Sequence, residues 1–532
     1  MRMLLNTAMK RRLYLIEFLA KQQRWWPLEE AAAHLNCSTK TLITDVNYIN
    51  EEMEEYLHID ISKVRGIKAH PMKSNKINNI YQNIIQNSNE FQFIEQVFLY
   101  PNQDAEYWIN KLFLSEATFY RLVNSTAKAL KRRGLKLERK PFRITAPDER
   151  WVRFFYQSYF LEAYGSAKWP FDIERQQLVC FVMRTSTDFD ILWDDHEIIE
   201  YAYLLMVTII RASQGFTLSE AIYAEEDDLL DHLIQSNHSY SEKFASTNYQ
   251  LVSKWYRETS RTVFHEYYNW DNQQQEIRIQ TALERFLKSI SQAVDFPLTQ
   301  MNEKKILQQL MGLYSTYSLY PYDREILHNQ SQESAQNIQR IYPIFSKIVS
   351  VNLKEIEKDC NFPWVQKTES DVLCILLKEW ENLPIQLENL RRRLSILVVS
   401  DMGIRHANML RSLLKGQYGE RFKIDLYKES PLFISPVEMK QFEEYDLVIT
   451  NDQIHNYQNR NLMIVDNYLS ETDWDVLNRR VISIQKEASD RYLEKLDTAD
   501  FRSGRSVYPS RQSNERIATF IMDESLNKRK KQ

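Results

Sequence analysis

Between Pro27 and Asn50 the apolar positions fall at helical spacing in two short blocks. Leu28 to Leu35 reads as a helix, with Pro27 before it and Glu29 and Glu30 in its first turn as start signals. Asn36 follows, a residue that tolerates the left-handed backbone of a tight exit. Ser38 is placed to cap a second helix by accepting hydrogen bonds from its free amides. On that helix, expected over 39–50, Leu42, Val46 and Ile49 form one apolar stripe at i, i+4 and i+7. Lys40, Thr41, Thr44, Asn47 and Tyr48 lie mostly off the stripe. His58–Ser62 and Gly66–His70 then read as two short strands around the basic tip Lys63-Val64-Arg65. Helix, three-residue turn, capped helix and basic hairpin is the order of a winged helix-turn-helix. Polar side chains of its second helix reach base edges, and its wing touches phosphate.

The pattern returns 77 residues later, Leu35-x-x-Ser38-x-x-Thr41-Leu42 being matched by Leu112-x-x-Ser115-x-x-Thr118-Phe119. Asp104 to Leu112 supplies the supporting helix, and Ser115 caps a second one over 116–130. Its inner face is Phe119, Leu122, Val123 and Leu130, and Tyr120, Arg121, Asn124 and Lys128 point outward. Lys131-Arg132-Arg133-Gly134 puts cations at the negative end of that helix. Leu135 to Thr145, with Arg139, Lys140 and Arg143, forms a second candidate wing. Two such units in tandem imply a partner that is double-stranded DNA.

Further on the periodicity changes twice. From about Gly165 to Leu390 the chain reads as helix after helix, Ile198–Ile210 being strongly apolar and closed by Arg211 and Gly215. After 391 a strand-length run, Leu394–Val399, is followed by a helix at Arg405–Leu414. Further strand-like runs lie at Lys423–Tyr427, Tyr445–Thr450 and Leu462–Asp466. Strands alternating with helices predict a small parallel α/β layer. Phe501–Gln532 is polar, ends in Lys528-Arg-Lys-Lys-Gln, and is expected to be a flexible basic tail. The whole is a mainly α, multidomain chain.

At 532 residues it is too long for one core. Only nine glycines favour helices with short connections and argue against glycine-rich phosphate loops. Four scattered cysteines (Cys37, Cys180, Cys360, Cys374) fit a reducing cytosol and exclude a C-x-x-C zinc site. With no secretion signal and no run of about 18 apolar residues, the expected location is cytoplasmic. A net charge of −4 hides an asymmetry: residues 1–150 hold 23 Lys/Arg against 17 Asp/Glu, and the rest 45 against 55. The basic excess lies with the two candidate reading heads, where a polyanion is expected.

The order of parts resembles the Mga/AtxA family of transcription regulators from Gram-positive bacteria, whose members control virulence and growth. Leu112-Phe-Leu-Ser-Glu-Ala-Thr-Phe-Tyr-Arg121 is similar to the family's second helix-turn-helix, and Asp148-Glu149-Arg-Trp-Val-Arg153-Phe-Phe-Tyr156 to the stretch after its wing. Ala146-Pro147 stands where relatives tend to have glycine. The resemblance implies winged units at 1–75 and 76–160, and helical regulation domains of the phosphotransferase system (PRD domains) at 166–290 and 291–388. It also implies an enzyme IIB-like α/β domain at 391–490, followed by the tail 501–532. It implies a homodimer, and phosphorylation of particular histidines by a phosphocarrier protein of that system. His196, His265 and His328 are the candidates, with His232 and His238 also in the first bundle; Phe216 stands where many relatives carry a histidine. In an enzyme IIB domain a cysteine after the first strand carries phosphate. Here that position is Ser400, with one glycine in its loop and no general base visible beside it, so carrier chemistry is not expected.

No H-E-x-x-H or G-x-x-x-x-G-K-[ST] run is present, and no cofactor, metal or catalytic set is expected. An RNA-binding antiterminator, which would begin with a small β-rich module, and a phosphotransferase component are the alternatives. With few arginines on either recognition helix, bidentate guanine contacts are scarce. Selection is expected to lean on the shape of AT-rich or curved promoter DNA.

Overall fold

The computed structural model describes residues 1–20, 24–70, 74–188, 191–219, 258, 262–263, 273–496 and 507–508. It is mainly helical, with winged helix-turn-helix units at the N-terminus and a small α/β layer toward the C-terminus. The contacts divide into two compact units, Met1–Asp271 with Gly312–Asn329, and Asn272–Met311 with Gln330–Gln532.

The first unit begins with α1 (Thr7–Ala20), α2 (Leu28–His34) and α3 (Thr39–Glu52), then the antiparallel hairpin β1 (Ile59–Ser62) and β2 (Gly66–Ala69). Leu42, Val46 and Ile49 are wholly buried, as the stripe predicts. Asp45 shares their face at 2% exposure and receives Arg11 Nε at 2.5 Å and Arg12 Nε at 2.9 Å, tying α1 to α3. A buried carboxylate requires such partners. The Asn50 side chain bonds both backbone groups of Ile59, fixing β1 against α3. Trp26 pairs with Ile67 at the hairpin edge, and at Gly66 (φ +91°) a Cβ would lie 1.8 Å from Trp26 O, so only glycine fits.

The second half of the unit runs α4 (Ser74–Asn87), α5 (Asn89–Leu99), α6 (Ala105–Lys111), α7 (Glu116–Lys131), the hairpin β3 (Lys136–Arg139) and β4 (Phe142–Thr145), and α8 (Glu149–Tyr164). Phe93 meets Trp108, Phe119 and Phe142 edge to face at 5.6–5.8 Å, so one ring joins supporting helix, recognition helix and wing. After α9 (Arg175–Asp188), α10 (Asp195–Ser213) begins with a full capping box on Asp194.

Two buried cations hold α8 in place. Arg211, 1% exposed, donates to both carboxylate oxygens of Glu149 (2.6 and 2.8 Å) and to Ile144 O in β4 (3.1 Å), and its guanidinium lies 3.7 Å from the Phe216 ring centroid. Arg153, fully buried, pairs with Glu258 at 2.5 Å and also donates to Thr262 and to Phe216 O. Residues 312–329, given by the sequence reading to the second bundle, pack in this unit. The amides of Ile326, Leu327 and His328 all donate to the Glu162 carboxylate, whose pKa burial nevertheless raises. Arg133, one of the cations at the end of the recognition helix, is buried and donates to the carbonyls of Asp323 and Glu325. A Cβ at Gly134 would lie 2.4 Å from the Tyr322 ring.

In the second unit α11 (Gln273–Ala293) packs its stripe of Ile279, Leu283, Phe286 and Ile290 against α12 (Pro343–Cys360), which also packs on α13 (Trp364–Glu379). A four-stranded parallel sheet follows, ordered β6-β5-β7-β8, with β5 at Leu394–Val399, β6 at Phe422–Leu426, β7 at Leu447–Thr450 and β8 at Leu462–Ile464. The helix Ile404–Tyr418 follows β5. Val507 and Tyr508 are buried, and Val507 N–H donates to Ala293 O. The charged end of the tail lies outside the described residues.

Removing one member of a buried ion pair strands the other. Arg211→Ala is expected to cost about 3–5 kcal/mol, read from urea unfolding, with α8 and β4 losing amide protection first.

Candidate nucleic-acid interface

Each recognition helix is positioned by the same local device. The α2–α3 turn passes through Asn36 at φ +51°; Ser38 Oγ accepts from Thr41 N–H at 3.1 Å and lies 2.8 Å from Thr41 Oγ1. The α6–α7 turn passes through Phe113 at φ +52°; Ser115 Oγ accepts from Thr118 N–H at 3.3 Å and lies 2.8 Å from Thr118 Oγ1. The repeat seen in the sequence is therefore a repeat of geometry down to single hydrogen bonds. Asp104 caps α6 by accepting from Tyr107 N–H at 2.9 Å. Phe113, an aromatic residue in a left-handed turn and 95% exposed, is a strained position.

On α3, Lys40, Thr44 and Asn47 are exposed, the Thr44 hydroxyl donating to Lys40 O. Tyr48, expected mostly off the apolar stripe, is half-buried, with the Arg12 guanidinium 3.4 Å from its ring centroid. The same arginine anchors on Asp45. Lys63 and Arg65 are exposed at the first wing tip beside Val64, and Arg65 lies over the Trp25 ring at 4.3 Å.

On α7, Tyr120, Arg121, Asn124 and Lys128 are exposed, and Arg121 Nε donates to Ala117 O. Asn124 Oδ1 accepts from Arg139 Nη2 at 2.9 Å, joining recognition helix to wing. Lys140 is exposed at the turn of the second wing. Arg143 Nε pairs with Glu138 Oε2 at 2.5 Å, and that bond, helped by Lys136, holds the Glu138 carboxyl below its ordinary value. Arg139 and Arg143 thus have protein partners, whereas Lys40, Lys63, Arg121, Lys128 and Lys140 present exposed charge. Sequence reasoning missed Asp45, Arg11 and Arg12, which orient α3. An acid one position from the stripe is the only local trace of them.

Of the histidines, His196 is 68% exposed in the first turn of α10, 3.6 Å from Glu200. His328 is half-buried and stacks on Tyr81 with centroids 4.5 Å apart. His265, His232 and His238 lie outside the described residues. No group of three or more His, Cys, Asp or Glu able to hold a metal occurs among the described residues.

Two winged helix-turn-helix units in tandem, each with its capped recognition helix outward, define a DNA-binding class of protein. Residues 7–65 match the model of the M protein trans-acting positive regulator (MGA) HTH domain, and residues 73–160 that of the Mga helix-turn-helix domain. Similarity to a Streptococcus pneumoniae serotype 4 protein named "Putative trans-acting regulator" runs over 88% of this chain and 96% of that one, at 21% identity. The capsule synthesis positive regulator AcpA of Bacillus anthracis is 26% identical over 38% of this chain and 42% of its own length. The anthrax toxin expression trans-acting positive regulator of Bacillus anthracis is 20% identical over 38% and 42%. The stretches 7–65 and 73–160 are thus similar to the helix-turn-helix domains of Mga-type regulators. Among the described residues no helix is long and apolar enough to cross a membrane.

Losing either serine cap leaves helix amides without an acceptor. Ser38→Ala and Ser115→Ala are each expected to cost about 1 kcal/mol, additively because the caps share no partner, as measured by urea unfolding of the single and double variants.

Proposed function

We propose that this chain is a cytoplasmic transcription regulator that grips promoter DNA with both winged units of a homodimer. The observation that carries this reading is the paired, outward recognition helix, with Lys40 and Asn47 on one and Arg121 and Lys128 on the other. In this reading α3 and α7 enter successive major grooves while Lys63, Arg65 and Lys140 hold phosphates. Ser38, Thr41, Ser115 and Thr118 set each helix's angle of entry, and their hydroxyls lie near the same surface. The polar, arginine-poor helix faces favour reading of DNA shape over base edges. The exposed apolar side chains Leu432, Phe433 and Val437 (67–85% exposed) support a C-terminal contact with a second copy. His196, exposed beside the positive end of α10, is the histidine best disposed to accept phosphate from a phosphocarrier protein.

Fluorescence anisotropy on curved, AT-rich duplexes across a salt series tests the grip. Arg121→Ala with Lys128→Ala is expected to weaken binding on all sequences and to lower the log–log salt slope by about 2. An unchanged slope places the grip elsewhere. Leu432→Glu with Phe433→Glu is expected to shift the chain toward monomer in analytical ultracentrifugation, with the thermal midpoint unchanged.

A further inference from the structure

The carboxyl end of β5 holds an arrangement that the DNA reading does not use. The strand order β6-β5-β7-β8 reverses direction at β5, and the crevice at such a point, beyond the strand ends, is where open parallel sheets bind ligands. Ser400 is the first residue past β5 and is 4% exposed, while the turn above it, from Asp401 to Ile404, is exposed. Its Oγ lies 2.8 Å from His406 Nδ1, and the other ring nitrogen, Nε2, lies 2.5 Å from the carbonyl oxygen of Asn467 in the loop after β8. A carbonyl oxygen only accepts, so in the neutral ring the proton sits on Nε2 and Nδ1 is the acceptor facing the Ser400 hydroxyl. Nucleophile, base, and a third group that orients the base are therefore in hydrogen-bond sequence. The sequence reading found no base beside Ser400. The turn through Gly403 at φ +84° brings His406 back onto it.

The surroundings select the electrophile. Asn451, after β7, holds this corner together: its amide accepts from Asp401 N–H at 3.2 Å, and its Nδ2 donates to Asp401 Oδ1 and to Asn467 Oδ1. Asp401 places a carboxylate next to Ser400, and none of the hydrogen bonds within this cluster comes from a lysine or arginine side chain. A dianionic phosphoryl group meets repulsion there. A neutral carbonyl carbon does not, and the positive end of the helix Ile404–Tyr418 suits the oxyanion that forms when it is attacked.

We propose that Ser400 is an activated nucleophile that accepts an acyl group from a neutral ester donor, with His406 as its general base. Ser400 Oγ bonds to the carbonyl carbon while the hydroxyl proton passes to His406 Nδ1. The bond from that carbon to the leaving oxygen then breaks with its electron pair, and the same proton leaves with the alcohol. Asn467 acts through His406 and is a positioning residue.

The full chain is incubated with p-nitrophenyl acetate and, separately, with a fluorophosphonate probe. Nitrophenolate release is followed, and the modified peptide is mapped by mass spectrometry. The expected result is one equivalent of adduct on Ser400, absent in Ser400→Ala. In His406→Gln labelling is expected to slow about 10²-fold or more, and in His406→Gly it is expected to recover partly on adding imidazole. Thermal unfolding of each variant separates loss of the base from loss of the fold. Adducts only on surface lysines, or labelling of Ser400 at an unchanged rate in His406→Gln, would overturn the proposal.

Discussion

A guanidinium removed from water has to be given a carboxylate, and two such groups decide where the second reading head sits. Arg211 joins α10 to Glu149 at the start of α8 and to the last strand of the wing through Ile144 O. Arg153, one turn further along α8, joins Glu258 and the carbonyl of Phe216. Each charge is nearly or fully buried, so neither partner can leave without stranding the other. Helix α8, the wing and α10 are consequently one piece. Glu162 extends it at the far end of α8 by holding three successive amides of residues 326–328, and Arg133 does so at the end of the recognition helix. A change in α10 is thereby delivered to β4 without passing through a flexible linker.

The first reading head is fixed by lighter means. Asp45 takes two arginines of α1, and Asn50 takes both backbone groups of Ile59. No such anchor to α10 occurs among its described contacts. The two heads share cap geometry but differ in what stands behind them, so the second is the better placed to report on the rest of the chain.

What could be read from the sequence was what is local. Ser38 and Ser115 lie three residues from the amides they cap, and the stripes of Leu42 and Phe119 repeat within a turn or two, so both reading heads and the β5 run were evident. Contacts that close over long separations were not. Asp45 meets arginines 33 and 34 residues away, so neither the partners of that buried acid nor the Arg12 guanidinium beside the Tyr48 ring was evident. Arg133 was read only as one of three cations at the end of its helix, because its acceptors are backbone carbonyls 190 and 192 residues distant. His406 is only six residues from Ser400, yet the pair was invisible because the backbone of Gly403 decides whether they meet. Phe216 provides the ring face on which the Arg211 guanidinium rests.

The central claim is that both capped helices meet DNA together. Hydrogen–deuterium exchange of the full chain, with and without a curved AT-rich duplex, tests it directly. The account predicts added protection in Thr39–Glu52 and Glu116–Lys131 and at both hairpin turns, with α8 already protected in the free protein. Protection confined to one helix, or lying only beyond residue 160, would contradict it.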